Sequence, residues 1–221
     1  IGVDDQGYRK VLGVSEGSRE DRESWRAFLR HLKERGLKGT RLFISDRCLG
    51  LIEALGEVFP DSKWQRCVVH FYRNVFTAVP KGKMRLVSAM LKAIHSSEDL
   101  ETARKKAEEV AEKLKGMKLE KAAEMVSRGA RETFSYYAFP MEHWRLLRTN
   151  NPLERINREI RRRTRVVGSF PDGESALMLV AARLRHIAST KWGTRPYMDM
   201  GHLYALEQER EGKNLELKMN A

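Results

Sequence analysis

The first part of the chain alternates short apolar runs with amphipathic stretches. "IGVDDQGYRKVLGVSEG" places "DDQG" between two apolar runs, which predicts two strands joined by a turn. The next stretch, "SREDRESWRAFLRHLKERGLKG", predicts a helix, with Ser18 and Asp21 as a capping box and Gly36 at its end. The apolar residues of this helix recur at helical spacing, at Trp25, Phe28, Leu29 and Leu32.

Three further elements continue the alternation. "TRLFISD" predicts a strand that ends at Asp46, "CLGLIEALGEVFP" predicts a helix that Pro60 stops, and "KWQRCVVHF" predicts another strand. The order strand, strand, helix, strand, helix, strand is typical of an α/β fold in which helices cover a mixed sheet.

The pattern becomes purely helical after Pro80. Stretches rich in Ala, Lys and Glu predict an all-helical insertion over residues 81–147. "NPLERINREIRRRTR" and "DGESALMLVAARLRHIAST" then predict the final core helices, within residues 148–195. Residues 1–80 would form the first part of the core, and residues 196–221 a C-terminal tail whose last dozen residues are polar and loosely held.

The net charge of the chain indicates a polyanionic partner. There are 42 Lys and Arg residues against 30 Asp and Glu residues, which gives a formal net charge of +12. The charge is unevenly spread: residues 1–97 hold 18 basic and 11 acidic residues, residues 98–132 hold 9 of each, and residues 141–195, around the final helices, hold 12 basic and only 5 acidic residues. Nucleic acid is the usual partner of such a protein, and a membrane surface is the weaker alternative because neither end carries a basic amphipathic anchor.

Composition also bears on the compartment. The mean hydropathy is −0.56, and no run of 18 apolar residues is present, so the sequence predicts no membrane span. Two cysteines, Cys48 and Cys67, form no disulfide framework and fit a reducing environment. We therefore expect a cytoplasmic protein.

Two carboxylates stand where a metal-dependent phosphoryl-transfer site could form. Asp46 follows a strand, at the sheet edge where ligands usually bind, but it could also cap the next helix. Glu154 follows "TNNP", so Asn151 as N-cap and Pro152 as the first helical residue would make it an ordinary capping-box glutamate. Two such carboxylates holding divalent cations could polarise a phosphate and activate a hydroxyl. Both interpretations are open for each residue.

The helix that begins near Glu154 carries a run of arginines. Six of the eleven residues from 155 to 165 are arginine, and acids that could pair with them are scarce nearby. Helical geometry places Glu154 on one face with Arg158, Arg161 and Arg165. A solvated surface is the alternative, but the pattern favours binding of a DNA backbone by Arg155, Arg158, Arg161, Arg162, Arg163 and Arg165.

Cys67 and His70, in "CVVH", have the spacing of half a zinc site. No second pair of Cys or His residues lies nearby in the sequence. A buried cysteine on a strand, with a histidine at the exit of that strand, is the more ordinary interpretation.

Two long segments resemble the Mutator-like family of bacterial insertion-sequence transposases. They are "GLKGTRLFISDRCLGLIEALGEVFPDSKWQRCVVHFYRNV" and "HWRLLRTNNPLERINREIRRRTRVVGSFPDGESALMLVAARL". The resemblance implies a ribonuclease-H-like fold with a mixed sheet, an Asp-Asp-Glu triad that binds Mg²⁺ or Mn²⁺, and a helical insertion.

The resemblance also assigns residues. Asp46 matches the second aspartate of the triad and Glu154 its glutamate, both as catalytic metal ligands. Cys67 and His70 match a Cys-x-x-His element that supports the active site. Trp144 matches an insertion tryptophan that stacks on a DNA base in related enzymes, although core packing explains it equally well.

Two departures qualify these assignments. The first aspartate of the triad is expected upstream of residue 1, since Asp4 and Asp5 fall in the predicted turn. The 221 residues alone are therefore expected to be inactive. Cys48 stands where many relatives carry histidine.

The function implied is that of a DNA transposase that cleaves transposon ends and transfers them to target DNA. The resemblance also implies that it acts as a homodimer or larger assembly on double-stranded DNA, away from membranes and associated with the nucleoid in the bacterial cytoplasm. The alternatives are a catalytically inactive DNA-binding relative and another ribonuclease-H-like nuclease.

Overall fold

The computed structural model describes residues 1–17 and 21–219, which form two compact units. The first unit comprises residues 1–39, 49–60 and 150–221, and the second comprises residues 40–48 and 61–149. Ser18, half of the predicted capping box, lies outside the described residues. No helix in the described part of the chain is long and apolar enough to cross a bilayer.

The described residues of the first unit form a short hairpin and six helices. Its strands pair antiparallel, with Gly2 opposite Lys10 and Val3 opposite Arg9. Their bounds and those of the helices are β1 (Gly2–Val3), β2 (Arg9–Lys10), α1 (Arg22–Glu34), α2 (Leu49–Val58), α8 (Asn151–Val167), α9 (Gly173–Ser189), α10 (Lys191–Thr194) and α11 (Gly201–Met219).

The hairpin turn confirms the strand-turn-strand prediction. The carboxylate of Asp4 accepts the backbone N–H of Tyr8 at 2.7 Å and lies 3.3 Å from the ammonium of Lys10. Asp4 is therefore a turn residue, as the sequence predicts. Gly7 adopts φ +85°, and a Cβ there would lie 1.9 Å from the carbonyl oxygen of Met198. Only glycine fits this contact between the turn and the residues that precede α11.

Helix α1 begins and ends through local hydrogen bonds. The Asp21 carboxylate accepts the backbone N–H of Ser24 at 2.8 Å, so Asp21 is itself the N-cap. At the other end, Gly36 adopts φ +98° and donates to the Lys33 carbonyl, while Leu37 donates to the Leu32 carbonyl. This pair of bonds is a Schellman motif, which confirms the predicted helix end.

The second unit combines a parallel strand pair with a helical core. Residues 42–45 pair in parallel with residues 63–66, in register from Leu42 opposite Lys63 to Ser45 opposite Arg66. Its elements are β3 (Leu42–Ser45), β4 (Lys63–Arg66), α3 (Val68–Phe76), α4 (Met84–His95), α5 (Leu100–Gly116), α6 (Glu120–Gly129) and α7 (Met141–Leu147), with 3-10 turns at Lys81–Lys83, Arg131–Thr133 and Ser135–Ala138.

Helices α3 to α6 enclose a single apolar cluster. Its fully buried members include Val87, Leu91, Ile94, Leu114 and Val126. Small residues such as Ala103 and Ala122 let α4, α5 and α6 approach closely. Every described element between residues 81 and 147 is helical.

The structure corrects three predictions. The predicted strand 63–71 ends at Arg66, and α3 follows it, because Val68, Phe71 and Val75 bury one helical face despite their β-rich composition. The predicted tail contains α11, which Leu203 anchors by burial. Helix α8 has Asn150 rather than Asn151 as its N-cap, without a side-chain cap hydrogen bond.

The prediction of an α/β fold is confirmed at the level of class. The described strands form two separate pairs, one antiparallel and one parallel. A single ribonuclease-H-like mixed sheet, and the division of the chain at residues 80, 147 and 195, remain predictions.

Candidate active site and nucleic-acid interface

Asp46 stands directly after β3, at the carboxyl end of the parallel pair. Its side chain is 53% exposed, and its Oδ1 lies 2.6 Å from Nδ1 of His70, without the alignment of a hydrogen bond. Helix α2 begins three residues later, at Leu49, so Asp46 is not in the capping position of that helix. The carboxylate is accessible and has a basic neighbour.

Cys67 and His70 lie at the junction of β4 and α3. The backbone N–H of Cys67 donates to the Ser45 carbonyl at 2.8 Å, which continues the strand pairing and brings the start of α3 beside Asp46. The Cys67 side chain is fully buried, whereas His70 emerges from the first turn of α3. Cys67 thus anchors the helix that presents His70.

A complete metal site is not assembled within the described residues. No group of three or more His, Cys, Asp or Glu side chains converges there. The Cys67–His70 pair accordingly has no second half in this part of the structure. Its direct contact is instead with the carboxylate of Asp46.

Glu154 lies in the first turn of α8 and belongs to the first unit, whereas Asp46 belongs to the second. Its side chain is half-buried, and its backbone N–H donates to the Asn150 carbonyl at 3.1 Å. With Asn150 as N-cap, Glu154 is one position beyond the capping-box site that the sequence predicts. The side chain is therefore not in position to cap its own helix.

Helix α8 presents a surface of arginines. It buries only Ile156, and its arginines are all exposed: Arg155, Arg158, Arg161, Arg162, Arg163 and Arg165. This exposure is what a surface for a phosphate backbone requires.

The expectation that these arginines lack nearby acids is only partly right. Glu159 Oε1 lies 3.1 Å from Arg162, 3.3 Å from Arg163 and 2.6 Å from Arg183 of α9. Hydrogen bonds from Arg162 lower the pKa of Glu159 to about 2, with desolvation opposing them and the charges of Arg162 and Arg183 acting in the same direction as the hydrogen bonds. Within residues 1–17 and 21–219, no carboxylate forms an ion pair with Arg155, Arg158, Arg161 or Arg165.

Trp144, in α7, is held by an aromatic cluster. Its indole N–H donates to the Phe139 carbonyl at 2.7 Å, and its ring meets the rings of Tyr136 and Tyr137 edge-on. The side chain is half-buried, so packing accounts for much of its surface. Stacking of Trp144 on a DNA base remains a prediction.

Comparison with known proteins identifies the relatives of this chain. The sequence profile described as "Transposase, Mutator family" matches residues 1–193. The chain belongs to the Mutator family of transposases.

Individual transposases show the same similarity. The chain is 41% identical over 183 residues to the transposase for insertion sequence element IS1081 of Mycobacterium tuberculosis, which covers 83% of this chain and 44% of that protein. It is 37% identical over 222 residues to the ISRM5 transposase of Rhizobium meliloti, covering 100% of this chain and 54% of the relative. It is also 37% identical over 185 residues to the transposase for insertion sequence element IS256 of Staphylococcus aureus, which covers 83% of this chain and 47% of that protein. The chain spans about half the length of the curated relatives that it matches.

This member of the Mutator family also has a charged cluster next to Asp46 that sequence patterns do not reveal. Glu132 lies 3.0 Å from Arg47 and 2.9 Å from Arg66, so two arginines share one carboxylate. Arg66 is buried and its guanidinium lies over the ring of Phe71. Arg47 and Arg66 flank the two strand ends, but nothing in the sequence links either of them to residue 132.

A buried polar network is centred on His95 of α4. His95 is 4% exposed, and its ring nitrogens contact the hydroxyls of Tyr72 at 2.9 Å and Thr133 at 2.8 Å. Desolvation lowers the pKa of His95 to about 4, and the nearby charge of Arg148 contributes to the same shift. The neutral imidazole therefore joins α4 to the turn that carries Glu132.

Proposed function

We propose that the chain carries the catalytic site of a DNA transposase, which cleaves the ends of a mobile element and joins them to target DNA. The observation that carries this proposal is the half-exposed Asp46 carboxylate at the end of β3, held against His70 in a member of a transposase family. Phosphodiester chemistry of this kind needs no covalent enzyme intermediate.

The candidate ligands suit a divalent cation. Mg²⁺ and Mn²⁺ prefer carboxylate oxygens, and both Asp46 and Glu154 supply them. In this proposal the two carboxylates hold the cations, and His70 keeps the Asp46 carboxylate oriented. Bound cations would polarise the phosphate and activate water or a 3′-hydroxyl.

The finer features of the family belong to the same proposal. A ribonuclease-H-like core would bring Asp46 and Glu154 together, with residues 81–147 as its helical insertion. The arginines of α8 bind the DNA backbone and position the duplex without reading its sequence. Because two element ends must meet, the active form is a homodimer or larger assembly on DNA.

A cleavage assay tests the catalytic assignment. The complete gene product that contains these residues is mixed with DNA carrying the element ends, in Mg²⁺ or in a chelator. We expect Asp46→Asn and Glu154→Gln each to lower cleavage on the order of 10³-fold, because each removes a ligand worth several kcal/mol of transition-state stabilisation. DNA affinity, measured in parallel, should change little.

The matched control is Asp61→Asn, which removes an exposed carboxylate near β4 and should leave cleavage unchanged. Full cleavage by the Asp46→Asn variant would show that the site is misassigned. A protein that binds DNA but cleaves in no divalent metal would instead be an inactive relative. Cleavage without transfer to target DNA would indicate another nuclease.

A further inference from the structure

A cavity of about 430 Å³ lies in the second unit, where β4, α3 and α6 contribute to its walls. Its lining holds three arginines and two glutamates, which gives these side chains a net charge of +1: Arg47, Arg66, Arg128, Glu124 and Glu132. The volume is that of a pocket for a small ligand, and the charge indicates an anion. Arg47 follows Asp46 directly in the chain, so the cavity includes the neighbour of a candidate metal ligand.

Arg66 is a buried cation in the wall of this cavity. Its side chain is 8% exposed, its Nη1 donates to Oε2 of Glu132 at 2.9 Å, and its guanidinium carbon lies 5.2 Å from the centroid of the Phe71 ring. Gly129 of α6 leaves room for the same group, because a Cβ there would lie 2.9 Å from Nη1 of Arg66. A carboxylate, an aromatic ring and a helix backbone therefore hold the guanidinium in place.

The donors of Arg66 are not all satisfied. Its Nε is buried and has no hydrogen-bond partner among the described residues. Native proteins rarely leave a buried donor without an acceptor, because such a group loses its contact with water and gains nothing in return. Each oxygen of Glu132 already accepts one arginine, Oε1 from Arg47 at 3.0 Å and Oε2 from Arg66 at 2.9 Å. The cluster therefore lacks a second anionic acceptor.

Arg47 is the accessible member of the same cluster. Its side chain is 48% exposed, although its Nε donates to Glu132. Arg47 and Arg66 contact the two oxygens of one carboxylate and line one cavity, so both are within reach of a single ligand. A phosphate group suits this pair, since its oxygens accept several charge-assisted hydrogen bonds from guanidinium groups. A backbone phosphate of DNA carries one negative charge, which balances the net charge of the lining.

We propose that this cavity binds one backbone phosphate of a DNA strand, with Arg47 and Arg66 as donors and Glu132 as the residue that positions both. The inference rests on the proposed function, because it takes as its source the DNA that is cleaved at Asp46. Met125, which is 38% exposed, gives the adjacent deoxyribose an apolar wall. A phosphate held here, away from the reacting one, determines which phosphodiester bond of the strand reaches the metal ligands.

The test is a chemical double-mutant cycle on DNA binding. The complete gene product is mixed with labelled DNA in which uncharged methylphosphonate replaces one phosphate at a time around the cleavage position. Fluorescence anisotropy in a chelator measures affinity, so the result does not depend on cleavage. At one position the replacement should cost the wild type about tenfold in affinity, as expected for a hydrogen bond between charged groups. The same replacement should cost Arg47→Gln less than about twofold, because that contact is already lost.

Two further variants locate the effect in the cavity. Asn74→Asp introduces a carboxylate into the lining from the exposed side of α3, and it should remove the response to the same methylphosphonate. Arg104→Gln, on the exposed side of α5, changes the net charge by the same one unit and should keep the wild-type pattern at every phosphate. All three substitutions replace exposed side chains, and circular dichroism checks that each variant folds. Asn74→Asp keeps the test valid if Arg47→Gln does not fold.

The outcomes separate this inference from the proposed function. If every methylphosphonate costs Arg47→Gln and Asn74→Asp as much as it costs the wild type, the cavity is not a DNA site, and the cleavage assay is unaffected by that result. A wild type that binds no DNA would contradict the proposed function itself. Thermal stabilisation by pyrophosphate then decides the fate of the cavity. Stabilisation of the wild type but not of Asn74→Asp would replace DNA by a free phosphate compound, and no stabilisation would overturn the anion site.

Discussion

Helices α5 and α8 are each 17 residues long, yet α5 buries five side chains and α8 buries one. Helix α5 carries five basic and four acidic residues, several of them paired along the helix, such as Lys105 with Glu101 and Lys115 with Glu112. Helix α8 carries six arginines and two glutamates. Packing against α4 and α6 explains the sequence of α5 almost completely.

Folding alone does not explain α8. Arginines three and four positions apart repel each other and weaken an isolated helix by a few tenths of a kcal/mol per pair. In the described structure, Glu159 forms ion pairs with two of them, Arg162 and Arg163. The comparison teaches that an excess of one charge on a helix surface, as on α8, indicates a binding surface for a ligand of opposite charge. A surface on which acidic and basic residues are balanced, as on α5, indicates a solvent-facing side of a helix.

The largest effect should come from the core of the insertion. Leu114→Ala in α5 removes a fully buried side chain, and we expect it to lower the free energy of unfolding by about 3 kcal/mol. Val166→Ala in α8 removes a side chain that is 83% exposed and should cost less than about 0.5 kcal/mol. Urea titration of both variants measures the difference. Similar losses would mean that α8 packs against more than the described residues show.

A pH effect should come next, from the neutral His95. Its pKa is about 4 in the folded protein against 6.5 as the ordinary value, so the unfolded chain takes up the proton first as the pH falls. The stabilisation is complete above about pH 6.5 and is lost between pH 6.5 and about 4, by roughly 3 kcal/mol in total.

Urea titrations at several pH values check this prediction. The His95→Gln variant should be less stable at neutral pH but should lose less stability than the wild type between pH 6.5 and 4. His31→Gln, which removes an exposed histidine of α1, should leave the pH dependence unchanged. A His95→Gln profile parallel to that of the wild type would exclude His95 as the titrating group.

The cluster beside Asp46 should give a smaller loss of stability. Glu132→Gln leaves the buried Arg66 without its carboxylate, at a cost of about 2 kcal/mol once the partial exposure of Glu132 is considered. Glu124→Gln breaks only the exposed pair with Arg128 and should cost less than about 0.5 kcal/mol. Thermal unfolding compares the two variants. Equal melting temperatures would show that water compensates Arg66.

Local chemistry made much of the fold predictable. The end of α1 at Gly36, the hairpin turn at Asp4 and the strand β3, which ends one residue before Asp46, each depend on a few adjacent residues, so the sequence indicates them directly. Helix α3 was mispredicted because Val68, Val69 and Phe71 favour strands, whereas the burial of Val68, Phe71 and Val75 on one helical face decides the outcome. Helix α11 was missed because its anchor, Leu203, is a single residue in a polar segment.

The sequence identified individual residues of the candidate site but not the contacts between them. Asp46 and His70 were both identified, but their 2.6 Å contact depends on the register of β3 against β4. Glu132 is 85 residues from Arg47 in the chain. The helical segment before it contains many glutamates, so nothing in the sequence distinguishes Glu132 as the partner of Arg47. The pairing of Arg162 with Glu159 follows ordinary helical spacing and could have been predicted from it.

The smallest expected effect is a difference in DNA binding between two arginines of α8, one with an acidic partner and one without. Arg158→Gln removes a charge that no described carboxylate neutralises, so it should weaken DNA binding severalfold and make the log–log salt slope shallower by about one. Arg162→Gln removes a charge that Glu159 already neutralises, so its effect should be clearly smaller. Fluorescence anisotropy at several salt concentrations measures both variants. Equal losses would mean that DNA displaces Glu159 from Arg162, and then the whole arginine run, rather than its unpaired members, would form the binding surface.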